Sequence, residues 1–127
     1  GKANKNEIKK YGIAKVKKNK QSGGLGFIEQ MIEKPSLKKA PSNLFAVGRY
    51  VFSYELISFL SITKADKKGE VQLTDAIDDF LKTNEVVGHQ LEGKFYDCGN
   101  KHGHLIANIE YSLKDIEIKR KIMSYFK

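Results

Sequence analysis

Residues 11–17 alternate, Tyr11, Ile13 and Lys15 standing against Gly12, Ala14 and Val16, and this period of two predicts a strand. Residues 26–33, GFIEQMIE, carry Phe27, Ile28, Met31 and Ile32 on both faces, the pattern of a strand covered on both sides. The glycine cluster of residues 21–26 between them reads as a hairpin turn, because a phosphate-cradling loop would open a helix and here a second strand follows. Pro35 withholds a backbone donor and disfavours a helical conformation at the residue before it. The second strand should therefore stop with Glu33 and an extended Lys34 at its carboxyl end. A polar loop, residues 36–43, leads to a third strand-like run at residues 44–52.

Helical spacing takes over from there. Ser53 is a candidate N-cap for a helix through Ser61 with Leu56, Ile57 and Leu60 inward. Residues 63–69 form a charged connector. Residues 72–83 give the clearest helix, with Leu73, Ala76, Ile77, Phe80 and Leu81 on one face and Asp75, Asp78 and Asp79 on the other. Carboxylates in early turns complement the helix dipole by a few tenths to ~1 kcal/mol each, which suffices to explain them. One or two strands are expected within residues 86–98. Asn100 then caps a helix through Leu113, with Leu105, Ile106, Ile109 and Leu113 inward. A last amphipathic helix, residues 115–126, sets Ile118, Ile122, Met123 and Phe126 against Lys119, Arg120 and Lys121, and such a helix packs on the body or on another subunit. The order, three strands, two helices, a strand and two helices, predicts an α/β fold with a mixed sheet flanked by helices.

At 127 residues the chain is long enough for one domain with its own core. Its single cysteine, Cys98, excludes an internal disulfide framework and fits a reducing, cytoplasmic setting. No apolar run approaches the ~20 residues needed to span a bilayer, so no membrane partner is expected. The net charge of +8 favours anionic partners, and eight lysines fall between Lys2 and Lys20. That segment lacks the interleaved aromatics of a single-strand nucleic-acid platform, so residues 1–10 read as a basic, poorly ordered start and no nucleic acid is expected.

Candidate chemistry gathers at strand ends, where ligands bind in open α/β sheets. The Glu33 carboxylate can accept hydrogen bonds from sugar hydroxyls and the Lys34 ammonium can hold a phosphate, while the plain alternative is a solvated surface pair. Gly12 weakens a strand unless something must approach its backbone. Lys38 and Lys39 stand beside this site, able to close over an anion or simply to keep a loop soluble. Asp97, followed by Cys98 and Gly99, should emerge at the end of a strand formed by residues 95–98, where a magnesium ion could share it with a phosphate; capping the following turn is the structural alternative. A metal centre at Cys98, His102 and His104 is disfavoured, because two histidines at i and i+2 lie ~200° apart on a helix. Cys98 reads instead as a buried thiol.

Six short motifs, in this order and with these gaps, resemble one family: Tyr11-Gly12-Ile13, Glu33-Lys34-Pro35, Pro41-Ser42-Asn43-Leu44, Val47-Gly48-Arg49-Tyr50, the run Gly69-Glu70-Val71-Gln72-Leu73-Thr74-Asp75-Ala76-Ile77, and Tyr96-Asp97-Cys98-Gly99. Together they are similar to the carboxyl-terminal part of bacterial UDP-glucose pyrophosphorylase, from about Ile8 to about Leu113. Lys68 departs from the pattern, standing where the family usually has another glycine. The resemblance implies the carboxyl-terminal part of a nucleotidyltransferase (Rossmann-like) fold. It implies a magnesium-assisted reaction in which glucose 1-phosphate attacks the α-phosphorus of UTP to give UDP-glucose and pyrophosphate. On that analogy Gly12 offers backbone to glucose, Glu33 accepts from its hydroxyls, Lys34 holds the sugar phosphate as the catalytic cation, and Asp97 lies by the metal. Residues 11–114 would then be the sugar-phosphate-binding part and residues 115–127 a terminal helix.

The family's glycine-rich triphosphate loop and principal magnesium aspartate do not occur in this sequence. With Gly1 in place of an initiator methionine, a fragment of a longer protein is expected, inactive alone, partnered by an upstream nucleotide-binding half and forming a homo-oligomer. Two other readings are a thymidylyltransferase of the same superfamily, against which the wording of residues 47–50 and 96–99 argues, and a non-catalytic sugar-phosphate-binding or oligomerisation module.

Overall fold

The computed structural model describes residues 1–17 and 25–126. Two compact units divide the chain, Gly1–Glu92 and Gly93–Lys127.

In the first unit a sheet forms from β1 (Gly12–Lys17), β2 (Gly26–Glu33), β3 (Leu44–Phe45) and β4 (Val87–Gly88), in the order β3-β1-β2-β4. Every pairing among these strands is antiparallel, in place of the mixed sheet that the element order suggested. For β1, β2 and β3 the physical reason is local, since they follow one another without an intervening helix and parallel neighbours need a long crossover; β4, which comes after two helices, also pairs antiparallel with β2. The expected hairpin is consistent with the β1–β2 register, but most of its turn, residues 18–24, lies outside the described residues.

A register shift between Lys15 and Val16 explains the two-sided look of β2. Lys15 pairs with Gln30 and Val16 with Ile28, so Glu29 is the extra residue of a bulge. Ile28 and Met31, three apart, both join the core cluster that contains Ala14. Met31 is buried but Phe27, Ile28 and Ile32 are half-buried, so β2 is less covered than its sequence suggested.

The core lies in two clusters. Ala14 and Met31 pack with Leu56 of α1 (Leu56–Ile62) and with Ala76, Ile77 and Phe80 of α2 (Leu73–Phe80). The Phe80 ring meets Phe52 and Phe59 edge-on at 5.7 and 5.4 Å, favourable geometry for aromatic pairs. The second cluster joins Ile13 and Phe45 to Ala3 and Ile8. Residues 1–10, read from the sequence as a loose basic arm, thus contribute two apolar side chains to it. A backbone bond from Ala3 to the Asn43 carbonyl and a 3-10 turn at Ile8–Lys10 accompany them.

Several elements are shorter than their sequence patterns. β3 ends at Phe45, and Gly48 (φ +80°) turns the chain away from the sheet. Helix α1 begins at Leu56 with no side-chain cap, the Ser53 hydroxyl donating instead to Glu55 at 2.6 Å. Leu60 packs against the core as expected, Phe59 joins it there, and Ile57, expected inward, is exposed. Ahead of α2, the Asp66 carboxylate accepts from the Lys68 and Glu70 backbones and from Gln72 Nε2, bonds that hold its pKa below the usual range, the Gln72 bond most. Gly69 (φ +84°) makes the left-handed turn there, so Lys68 needs no glycine conformation.

The second unit holds α3 (Lys101–Ser112) and α4 (Ile116–Ser124). Asn100 caps α3 as expected, its side chain accepting from Gly103 N at 2.8 Å, and Asp115 caps α4. Leu105, Ile106 and Ile109, expected inward, are exposed, as are Ile118, Met123 and Phe126. Residues 95–98 are not a strand and Cys98 is exposed, so neither the predicted strand end nor the buried thiol is found. The amphipathic pattern predicted an apolar face and could not say which surface it would meet. No helix among the described residues is long and apolar enough to cross a membrane.

Candidate functional site

At the junction of β1, β2 and α2, three of the four residues singled out from the sequence meet. Gly12 pairs across the ladder with Glu33, and its carbonyl accepts from Ala46 N at 3.0 Å, so both sides of its backbone are occupied by sheet neighbours. Its missing side chain is required: a Cβ there would stand 2.7 Å from Thr74 Cγ2 and 3.0 Å from Glu33 Oε2.

Glu33 is held rather than loose. Oε2 accepts a 2.8 Å hydrogen bond from the Thr74 hydroxyl, and Oε1 lies 3.4 Å from the Lys34 ammonium. The Glu33 side chain keeps 23% of its exposure and Lys34 57%, so the ion pair faces solvent and holds the ammonium weakly. A phosphate entering from that side could compete for it.

Lys34 departs from expectation in its backbone. It takes φ +42°, the one left-handed non-glycine residue among those described, although an extended conformation was anticipated before Pro35. Its N–H bonds the Tyr11 carbonyl at 3.1 Å, extending the β1–β2 ladder one step past Glu33, and Pro35 is buried. Those anchors on both sides override the local preference. Backbone strain of this kind, on the order of 1–3 kcal/mol, persists only where surrounding structure over-determines it.

The charge of Glu33 reaches two further groups. Burial, and then the Glu33 carboxylate, push the Tyr50 hydroxyl above the usual phenol range. Burial, then Glu33 and the neighbouring aspartates, hold Asp75 above the usual carboxylate range. Tyr50 and Thr74 therefore belong to the surroundings of Glu33, and neither was singled out. Thr74 had a legible signal, since a hydroxyl on the inward face of an amphipathic helix must find a partner. Lys38 and Lys39 lie exposed in a turn closed by bonds to the Ser36 carbonyl.

Asp97 belongs to the second unit. Its Oδ1 accepts from Gly99 N at 3.0 Å and its carbonyl accepts from Asn100 Nδ2 at 3.1 Å, the turn-capping role. Nearby, Glu110 accepts from Tyr96 at 2.8 Å and from Lys94, which hold its carboxyl below the usual range, Lys94 most. No group of three or more His, Cys, Asp or Glu side chains among the described residues could hold a metal ion.

The family model described as nucleotidyl transferase matches residues 1–112. A UTP–glucose-1-phosphate uridylyltransferase from Haemophilus ducreyi is 41% identical over 109 residues, which cover 85% of this chain and 37% of the relative. That of Haemophilus influenzae is 36% identical over 121 residues, 94% of this chain and 41% of the relative. Among solved structures, a UDP-glucose pyrophosphorylase complexed with UDP-glucose superposes with a TM-score of 0.82 at 35% identity, covering 89% of this chain and 42% of that one. A UTP-bound enzyme from Acinetobacter baumannii superposes with a TM-score of 0.78 at 31% identity, covering 98% of this chain and 42% of that one. The chain thus spans about two fifths of the length of the proteins it matches.

Proposed function

Because this chain belongs to the nucleotidyl transferase family as a homologue of UDP-glucose pyrophosphorylase, we propose that it is the carboxyl-terminal part of a UTP–glucose-1-phosphate uridylyltransferase and supplies the sugar-phosphate side of the site. The observation that carries this reading is the meeting of Gly12, Glu33 and Lys34 at one end of the β1–β2 ladder. Gly12, flanked by sheet neighbours, leaves the space that the Thr74 methyl and the Glu33 carboxylate fill, Glu33 accepts from ring hydroxyls, and Lys34 neutralises the phosphate of glucose 1-phosphate. That phosphate attacks the α-phosphorus of UTP, forming the new P–O bond as pyrophosphate leaves. Such transfers ask a protein mainly for alignment and charge neutralisation. A lysine ~4 Å from a phosphate charge is worth about 4 kcal/mol at an effective dielectric near 20.

Because the chain spans only about two fifths of its relatives, the nucleotide side and its glycine-rich triphosphate loop are assigned in this proposal to a part of the whole protein outside this chain. Magnesium is expected to assist in the whole protein. Asp97, whose carboxylate is a hard oxygen donor, is the residue of this chain that would lie by the ion.

Two measurements test the reading. The chain mixed with UTP, glucose 1-phosphate and magnesium should release no pyrophosphate beyond background; sustained release overturns the assignment of the nucleotide half elsewhere. In the full-length protein, Lys34→Ala should cut turnover by 10²-fold or more, on the scale of losing one charge-stabilising donor. Unchanged turnover would favour a non-catalytic module.

A further inference from the structure

Thr74 is the one buried polar residue among those described, 5% exposed on the inward face of α2 among Ala76, Ile77 and Phe80. A threonine there loses helix propensity relative to alanine and brings a hydroxyl into an apolar layer. Both ends of its forked side chain are used. The hydroxyl donates to Glu33 Oε2 at 2.8 Å, across 41 residues of sequence. The methyl sits so close over Gly12 that a Cβ on that glycine would approach it to 2.7 Å.

From this double contact the geometry points to Thr74 as a positioning residue: its hydroxyl aims the Glu33 carboxylate at the sugar, while its methyl fills the space that a side chain at Gly12 would take. The inference rests on the sugar-phosphate reading of Glu33. A carboxylate on a two-carbon stem has free rotation about its terminal bonds, and each oxygen must face a particular ring hydroxyl to discriminate it. Thr74 takes one lone pair of Oε2 and so orients the plane of the group. Lys34, on the opposite oxygen, is more than half exposed and can be drawn off by phosphate. The Thr74 bond remains in place as it leaves, because its donor is buried in α2. Helix α2 is in turn fixed to β2 by a second bond, from Met31 N to Asp78 Oδ1 at 2.8 Å, so the donor and the carboxylate it orients ride on elements joined at two points.

The test uses the full-length protein with four variants. Thr74→Val keeps the shape and methyl and loses the hydroxyl; Thr74→Ser keeps the hydroxyl and loses the methyl. Thr74→Val should raise KM for glucose 1-phosphate about tenfold, leave KM for UTP unchanged, and narrow the preference for glucose 1-phosphate over its epimers. Thr74→Ser should return most of the KM and the selectivity. Glu33 keeps partial solvent access, so water can satisfy Oε2 and Thr74→Val should fold. Should it aggregate, Thr74→Ala and Thr74→Ser, which differ only in the hydroxyl, read the same contrast. Equal KM and selectivity in the hydroxyl-bearing and hydroxyl-lacking variants, with Glu33→Gln still raising the sugar KM, would overturn the role of Thr74 alone. If Glu33→Gln also leaves the sugar KM unchanged, the sugar-phosphate reading itself fails.

Discussion

The Asp78 carboxylate accepts a 2.8 Å hydrogen bond from the backbone N–H of Met31, tying helix α2 to a stretch of β2 that β4 does not reach. β4 pairs only with Gly26 and Phe27, and the bulge at Glu29 disturbs the ladder before Met31. A side-chain acceptor takes the place of a neighbouring strand. Asp78→Ala should therefore destabilise the chain by about 1–3 kcal/mol, the cost of an unsatisfied part-buried donor, while Asp78→Asn keeps an acceptor and should lose less. Urea denaturation of the isolated chain checks both, and an alanine variant as stable as the parent would reduce the contact to a surface decoration.

Gly12→Ala should destabilise by about 1–3 kcal/mol, because the new Cβ meets Thr74 Cγ2 at 2.7 Å and Glu33 Oε2 at 3.0 Å. Thr74→Ser removes the methyl from that clash. A double-mutant cycle should show the pair less harmful than the sum of its members by roughly 0.5 kcal/mol or more. Strict additivity would mean that the backbone moves instead.

Lys34 at φ +42° carries a conformational cost that only glycine escapes. Lys34→Gly and Lys34→Ala both lose the ammonium, yet the glycine variant should be the more stable of the two by about 1 kcal/mol. Melting curves of the two chains provide the comparison. Both should lose turnover alike in the full-length protein, which separates the strain from the charge.

Glu110 should confer an acid-sensitive stabilisation on the second unit. Its folded pKa lies below the ordinary value of 4.5, chiefly through Lys94 and then Tyr96. The stabilisation is therefore fully present above about 4.5 and fades as pH falls through the depressed folded value. Glu110→Gln should lower the urea midpoint at pH 7, and the gap between variant and parent should close below pH 4.5. A gap that is constant with pH would assign the effect to shape rather than charge.

The order of elements, the Asn100 cap and the pairing of the first two strands were legible because they depend on near neighbours: capping oxygens and alternation along two successive strands. The left-handed Lys34 was not. Its local rule, set by Pro35, points to extended backbone, and the Tyr11 carbonyl that overrides it is 23 residues away. Asp78 failed in the same way, since periodicity placed it on the solvent side and could not know that β2 had a donor to satisfy.

By itself the sequence determined which residue types crowd each strand and helix, and it carried the run of motifs shared with the pyrophosphorylases. Tertiary structure alone decided that every strand pairing described is antiparallel, that Cys98 faces solvent, and that Thr74 reaches Glu33 across 41 positions. The division has one physical cause. Periodicity and capping act over a few residues, whereas register, exposure and hydrogen bonds between elements depend on how distant segments pack, which no local pattern encodes.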